Sequence, residues 1–112
     1  MNGKNKFAKL RCGVPLARDA IPELDVPRFR SAVVDAAADG CRVSALFGDA
    51  TAAAGAVDLY VVLAEDSEGL LHVAKTRVAN KSFPSLTPDC PQVHLFEREI
   101  AEQFGVRPDG HP

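Results

Sequence analysis

"AVDLYVVLAEDSEGLLHVAKTRV", Ala56 to Val78, decides the fold. Its opening, Ala56–Ala64, is rich in β-branched and aromatic side chains and reads as a central strand. Glu65–Gly69 is a turn cluster, and Leu70–Val78 reads as the returning strand. Two strands joined by a short loop containing glycine form an antiparallel hairpin. Upstream, Cys41, Val43, Ala45 and Phe47 alternate with Arg42, Ser44 and Leu46, which predicts a half-buried strand with the first four on one face. Gly48–Gly55 between them is a loop of small residues, expected to be mobile.

Further out the period changes from two to 3.6. Phe29, Ala32, Val33, Ala36 and Ala37 recur at helical spacing, Asp25 is placed to cap the helix, Pro27 suits its first turn and Gly40 supplies the stop. The spacing predicts a helix over Val26–Asp39. Residues 1–25 read as an extended lead-in, frayed over 1–10, with one short strand near Arg11–Ala17. Downstream, Pro84, Pro88 and Pro91 keep the chain extended. Val93, Phe96, Ile100 and Phe104 give a second helix one apolar face, Asp89 with Gln92 suits its N-terminus, and Gly105 ends it. The sum is a single α+β domain over 1–112, an antiparallel sheet of three or four strands with helices packed on one face.

Composition narrows the function. The chain has 112 residues, 46% hydrophobic and 25% charged, with a net charge of −2, so nothing pulls it toward nucleic acid. No apolar run approaches the roughly 20 residues a membrane-spanning helix needs, and Met1–Leu10 lacks the apolar segment of a secretory signal. Cys12, Cys41 and Cys90 are few, odd in number and far apart, which favours reduced, buried thiols over a metal site. His72, His94 and His111 fall in three separate elements without metal-ligand spacing, and His72 is expected to face solvent.

The charged run Glu97-Arg98-Glu99 is the remaining candidate for chemistry. Glu97 and Glu99 are two apart on a helix and point in different directions, so they do not form an acid–base pair. Arg98 and Glu102 are spaced for an exposed ion pair. Glu97 lies on the shoulder of the apolar face, where a half-buried carboxylate needs a backbone donor or an arginine. Cys90, near the start of the second helix, is a conceivable nucleophile, although no base lies close in sequence.

The segment Pro84–Pro112 resembles the signature of the 30 kDa subunit of respiratory complex I (NADH:quinone oxidoreductase). It is more similar still to the equivalent domain of energy-converting hydrogenases, formate hydrogenlyase included, where that domain often opens the large subunit. Pro84, Ser85 and Leu86 match its extended stretch, and Pro91 the proline before the helix. Glu97, Arg98, Glu99, Glu102, Phe104 and Gly105 match the helix, and Gly110, His111 and Pro112 match the final turn. The family commonly has Asp at the position of Glu102, and the charged tail that follows the turn is missing, so the end inside a motif favours a piece of a longer protein. The cysteines that hold nickel in hydrogenase large subunits are absent as well.

The resemblance implies a domain with no catalytic residue, cofactor or metal of its own, whose partner subunits carry the nickel–iron site or iron–sulfur clusters or bind quinone. It implies packing against a hydrogenase large subunit, or the 49 kDa-like subunit of complex I, beside the catalytic or quinone site. The protein would then be cytoplasmic, peripheral on the inner membrane through its complex and not inserted in it. Glu97 and Arg98 are the expected polar contacts, with Phe104 and Gly105 shaping the helix end. Residues Arg107–Pro112 are expected to pack loosely, leaving apolar surface near Phe83, Leu86 and Val106 exposed and able to support a homodimer. Two readings of other classes compete: a small stand-alone enzyme using Cys90 or His94, and a generic α+β ligand-binding or regulatory domain.

Overall fold

The computed structural model describes residues 7–11, 16–50 and 55–112. The hairpin forms as its sequence predicts. Strands β3 (Val57–Glu65) and β4 (Leu70–Val78) pair antiparallel from Val57↔Val78 to Glu65↔Leu70. They form the centre of a four-stranded antiparallel sheet in the order β1-β4-β3-β2, with β2 at Arg42–Ala50. Strand β1 falls at Ala8–Arg11, earlier than the lead-in suggested, and pairs with β4 from Ala8↔Val73 to Arg11↔Leu70. Phe7 is buried at its start, so Phe7–Arg11 is held by the sheet and is not frayed. The expected strand at Arg11–Ala17 lies partly outside the described residues, as does Cys12.

Helix α1 spans Val26–Ala38. The Asp25 carboxylate accepts from the Arg28 N–H at 2.9 Å, Pro27 occupies the first turn, and Gly40 at φ 102° turns the chain out of the helix. Phe29, Ala32, Val33 and Ala36 are buried, as their spacing dictates. They meet Leu59, Val61 and Leu63 of β3 and Ala74 and Val78 of β4 in one core. Helix α2 (His94–Phe104) packs on the same face over β2 and contributes Ile100, with Val93 just ahead of it.

Strand β2 corrects the alternation. Its register slips between Val43 and Ala45, a β-bulge that exchanges the two faces of the strand beyond it. Val43 and Leu46 therefore point into the core, while Phe47, expected inside, is 45% exposed and stacks on Tyr60 with ring centroids 5.4 Å apart. Gly48–Ala50, expected in a loop, continue the strand. Residues 51–54 of that loop lie outside the described residues.

His72 is a further correction. It sits on the inner face of β4, 1% exposed, with Nε2 at 2.8 Å from Glu65 Oε1 and the Phe7 ring edge-on at 6.2 Å. The chain end is also more ordered than a loose turn. Strands β5 (Ser82–Pro84) and β6 (Arg107–Asp109) pair in parallel, Phe83↔Pro108 at the centre. Parallel neighbours require a crossover, and α2 is that crossover. Phe83, Leu86 and Val106 are all buried by it. The apolar patch expected there for a homodimer is therefore part of the chain's own core.

Candidate functional site

The signature residues converge where the loop after β5 meets the first turn of α2. The stretch expected to stay extended turns over Thr87–Asp89, where Leu86 O accepts from the Asp89 and Cys90 N–H groups at 3.1 and 2.7 Å, and this leaves the Ser85 and Thr87 hydroxyls and the Leu86 N–H as free donors. Those donors surround Glu97. Its Oε1 accepts from Ser85 Oγ at 2.6 Å and from Thr87 Oγ1 at 2.6 Å, and its Oε2 accepts from the Leu86 N–H at 2.8 Å. Glu97 is 0% exposed. Three donors on two oxygens satisfy an acceptor-only carboxylate, and the N-terminal turn of the helix favours its negative charge. A backbone donor serves this carboxylate, one of the two partners expected for it, and two hydroxyls take the place of an arginine.

Ser85 is the hub of the arrangement. Its N–H donates to Asp109 O of β6 at 2.8 Å, its Oγ donates to Glu97, and its carbonyl accepts from Arg30 Nε of α1 at 3.1 Å. Arg30 also pairs with Asp89 at 2.7 Å. One residue thus joins α1, α2 and β6. The structure corrects Glu97 as a docking contact, because a side chain with no exposed surface holds its own fold together and offers nothing to a partner. It corrects the N-cap too. Asp89 faces Arg30, Gln92 Oε1 accepts from the Val43 N–H of β2 at 2.8 Å, and Pro91–Val93 forms a 3-10 turn ahead of α2.

Cys90 is buried, and burial pushes its thiol up, with the Glu97 charge acting the same way against an opposing backbone hydrogen bond at Gln92. A thiol held protonated is a poor nucleophile, which counts against a stand-alone enzyme built on Cys90. Native protein treated with iodoacetamide at pH 7.5 is expected to leave Cys90 unmodified over hours, and mass spectrometry showing rapid alkylation there would restore that reading. His94 meets His111, their ring centroids 5.1 Å apart, which the sequence spacing gave no reason to expect.

The rest of the signature faces outward. Arg98, Glu99 and Glu102 are exposed on α2, and no Arg98–Glu102 salt bridge forms. Leu95 beside them is 68% exposed, the most exposed large apolar side chain among the described residues. A groove of about 150 Å³ runs between β2 and α2, lined by Ala45, Phe47, Phe96, Glu99 and Gln103 over Leu46 and Ile100. Phe104 closes the helix over β2, and Gly105 leaves it at φ 66°. Gly110, at φ 86°, and Pro112 are exposed after β6. Thr87 and Arg30 are the members that sequence reasoning missed. The two hydroxyls spaced two apart in Ser85-Leu86-Thr87 were a legible signal for the first.

Such a site defines a small α+β domain organised around a buried, internally satisfied carboxylate, with the outer face of one helix left for contact. The chain belongs to the family of the respiratory-chain NADH dehydrogenase 30 Kd subunit, whose model matches residues 28–112. Its fold is similar to that of a solved structure, the trypsin-resistant fragment (1-134) of Nqo5. The two are 19% identical, with a TM-score of 0.64 over 96% of this chain and 89% of that one. No curated protein is significantly similar in sequence. Among the described residues no helix is long and apolar enough to cross a membrane.

Proposed function

We propose that this chain is a non-catalytic docking module of a multi-subunit oxidoreductase, of the NADH:quinone oxidoreductase or energy-converting nickel–iron hydrogenase type. It packs against the large subunit beside the catalytic or quinone site, and redox centres reside in its partners. It reaches the cytoplasmic face of the membrane through that complex. The observation that carries this reading is the division of α2. The inner half of the signature, Glu97 with Ser85, is saturated by the chain's own groups, so on α2 the exposed signature residues Arg98, Glu99 and Glu102, with Leu95 beside them, are free to meet a partner. An exposed leucine flanked by unpaired charges suits the apolar centre and polar rim of an interface.

Co-expression with the large subunit tests this. Leu95→Asp with Arg98→Glu should weaken co-purification at least about tenfold, ~1.4 kcal/mol, while the melting temperature of the isolated protein stays within about a degree, as befits exposed sites. Undiminished co-purification of the double variant would place the docking surface elsewhere.

A further inference from the structure

We infer that the groove between β2 and α2 is a socket for one arginine side chain of the partner subunit. The inference rests on the docking reading and names what that partner presents. Size narrows the occupant first. The groove holds about 150 Å³, room for about five waters at ~30 Å³ each. Sites for cofactors and other small molecules run from ~300 Å³ upward. The space therefore suits a single long side chain. Its walls decide which kind. Ala45, Leu46 and Ile100 make an apolar floor, with Phe47 on the β2 side and Phe96 on the α2 side. Among the described residues Glu99 is the one charged group lining the groove, and it is exposed with no salt bridge. Arg98, adjacent on the helix, points elsewhere, and Arg42 at the start of β2 is held by Asp66 at 3.1 Å. An apolar trough with an unneutralised carboxylate at its rim fits an aliphatic stem carrying a cationic head. Gln103, one turn after Glu99, adds an amide oxygen as a second acceptor.

An aromatic row in the sheet selects arginine over lysine. Phe47, Tyr60 and Lys75 are successive cross-strand neighbours on β2, β3 and β4. The Phe47 and Tyr60 rings stack with 13° between their planes, and Lys75 Nζ lies 5.8 Å from the Tyr60 centroid. One end of the row thus already carries a cation near a ring. The other end is open, because β2 is an edge strand and Phe47 is 45% exposed. A planar guanidinium stacks on such a ring and keeps its N–H fork directed at a carboxylate, which a compact ammonium does not do. Arginine is also among the side chains that most often anchor an interface.

NMR titration of the chain with N-acetyl-arginine amide tests the socket directly, with N-acetyl-norleucine amide as an uncharged match. The arginine probe is expected to bind at millimolar strength, shifting the Gln103 side-chain amide and the Phe47 and Phe96 ring signals. Glu99→Gln should weaken it at least about fivefold, and the norleucine probe should be weaker by a similar factor. In the complex co-expressed with the large subunit, Glu99→Gln and Phe47→Leu should each reduce co-purification at least about fivefold, with the circular dichroism of the isolated chain unchanged. Leucine keeps apolar bulk at Phe47 and removes its π face. Equal binding of the two probes would overturn the assignment, as would the absence of any shift at tens of millimolar arginine probe. So would a complex indifferent to both substitutions, even with the probe bound. If Leu95→Asp with Arg98→Glu still breaks that complex, the docking reading stands without the socket. An unsubstituted chain that does not co-purify with the large subunit removes both.

Discussion

Glu97→Ala is expected to cost about 4 kcal/mol of folding stability, near the whole margin of a weakly stable domain. Three donors would lose their acceptor at once: Ser85 Oγ–H, Thr87 Oγ1–H and the Leu86 N–H, all in a buried site. Each buried group left unpaired costs ~1–3 kcal/mol, and the hydroxyls recover part by turning to one another. The Ser85 Oγ already accepts from the Thr87 N–H at 3.2 Å, so some of that rearrangement is built in. Glu97→Gln separates charge from shape. Its oxygen still serves both hydroxyls, but its amide nitrogen meets the Leu86 N–H, donor against donor. We expect roughly half the loss, ~2 kcal/mol. Urea unfolding of the three proteins measures both. If alanine costs under 1 kcal/mol, Glu97 is not what holds the loop. If glutamine costs as much as alanine, the Leu86 contact dominates the site. This inverts the role expected from the sequence, in which Glu97 meets a partner subunit.

The depth of Glu97 shows what a sequence can carry. Its position on the shoulder of the apolar face is legible from the helical period, and so is its need for a donor. Its depth is not, because that depends on two hydroxyls in a loop ten to twelve residues away that folds over it. Local signals work where the determinants are local. Asp25, Pro27 and Gly40 bound α1 to within a residue, and the β3–β4 hairpin needs only its own β-branched and aromatic content and its turn. They fail where a distant partner decides. Asp89 looks like an N-cap until Arg30, 59 residues away, engages its carboxylate. Pro108 and Gly110 favour a turn, yet β6 exists because β5 lies beside it. The bulge in β2 leaves no mark in the pattern, since Ser44 is an ordinary strand residue. Its effect is large all the same, because one slipped residue carries Phe47 from core to surface.

The family signature is the most legible part, and the comparison bears out the complex I 30 kDa family. The motif names which residues recur together without saying which face inward. Geometry alone divides Ser85 and Glu97, which bind the chain to itself, from Arg98, Glu99 and Glu102, which do not.

Gly48→Val should destabilise the domain by about 2–3 kcal/mol, for a reason the sequence conceals. Gly48 sits within β2 without an unusual backbone angle, so a turn does not require the glycine; a neighbour does. A Cβ at this position would stand 2.7 Å from Phe104 Cε2, 2.9 Å from Phe104 Cδ2 and 3.3 Å from Val57 Cγ1. The last residue of α2 is thus laid directly on the backbone of the edge strand. Overpacking at such a contact typically costs ~1–3 kcal/mol, and valine adds two methyl groups beyond the Cβ. The half-buried Phe104 ring yields first, giving up its packing on β2, whereas Val57 is held within the core. A double-mutant cycle isolates the cause. Phe104→Ala alone should cost ~2 kcal/mol, and combined with Gly48→Val it should cost at least ~1 kcal/mol less than the sum, because the clash is already gone. Additive losses would mean that valine acts on the strand itself, and that α2 is not seated on β2 by this contact.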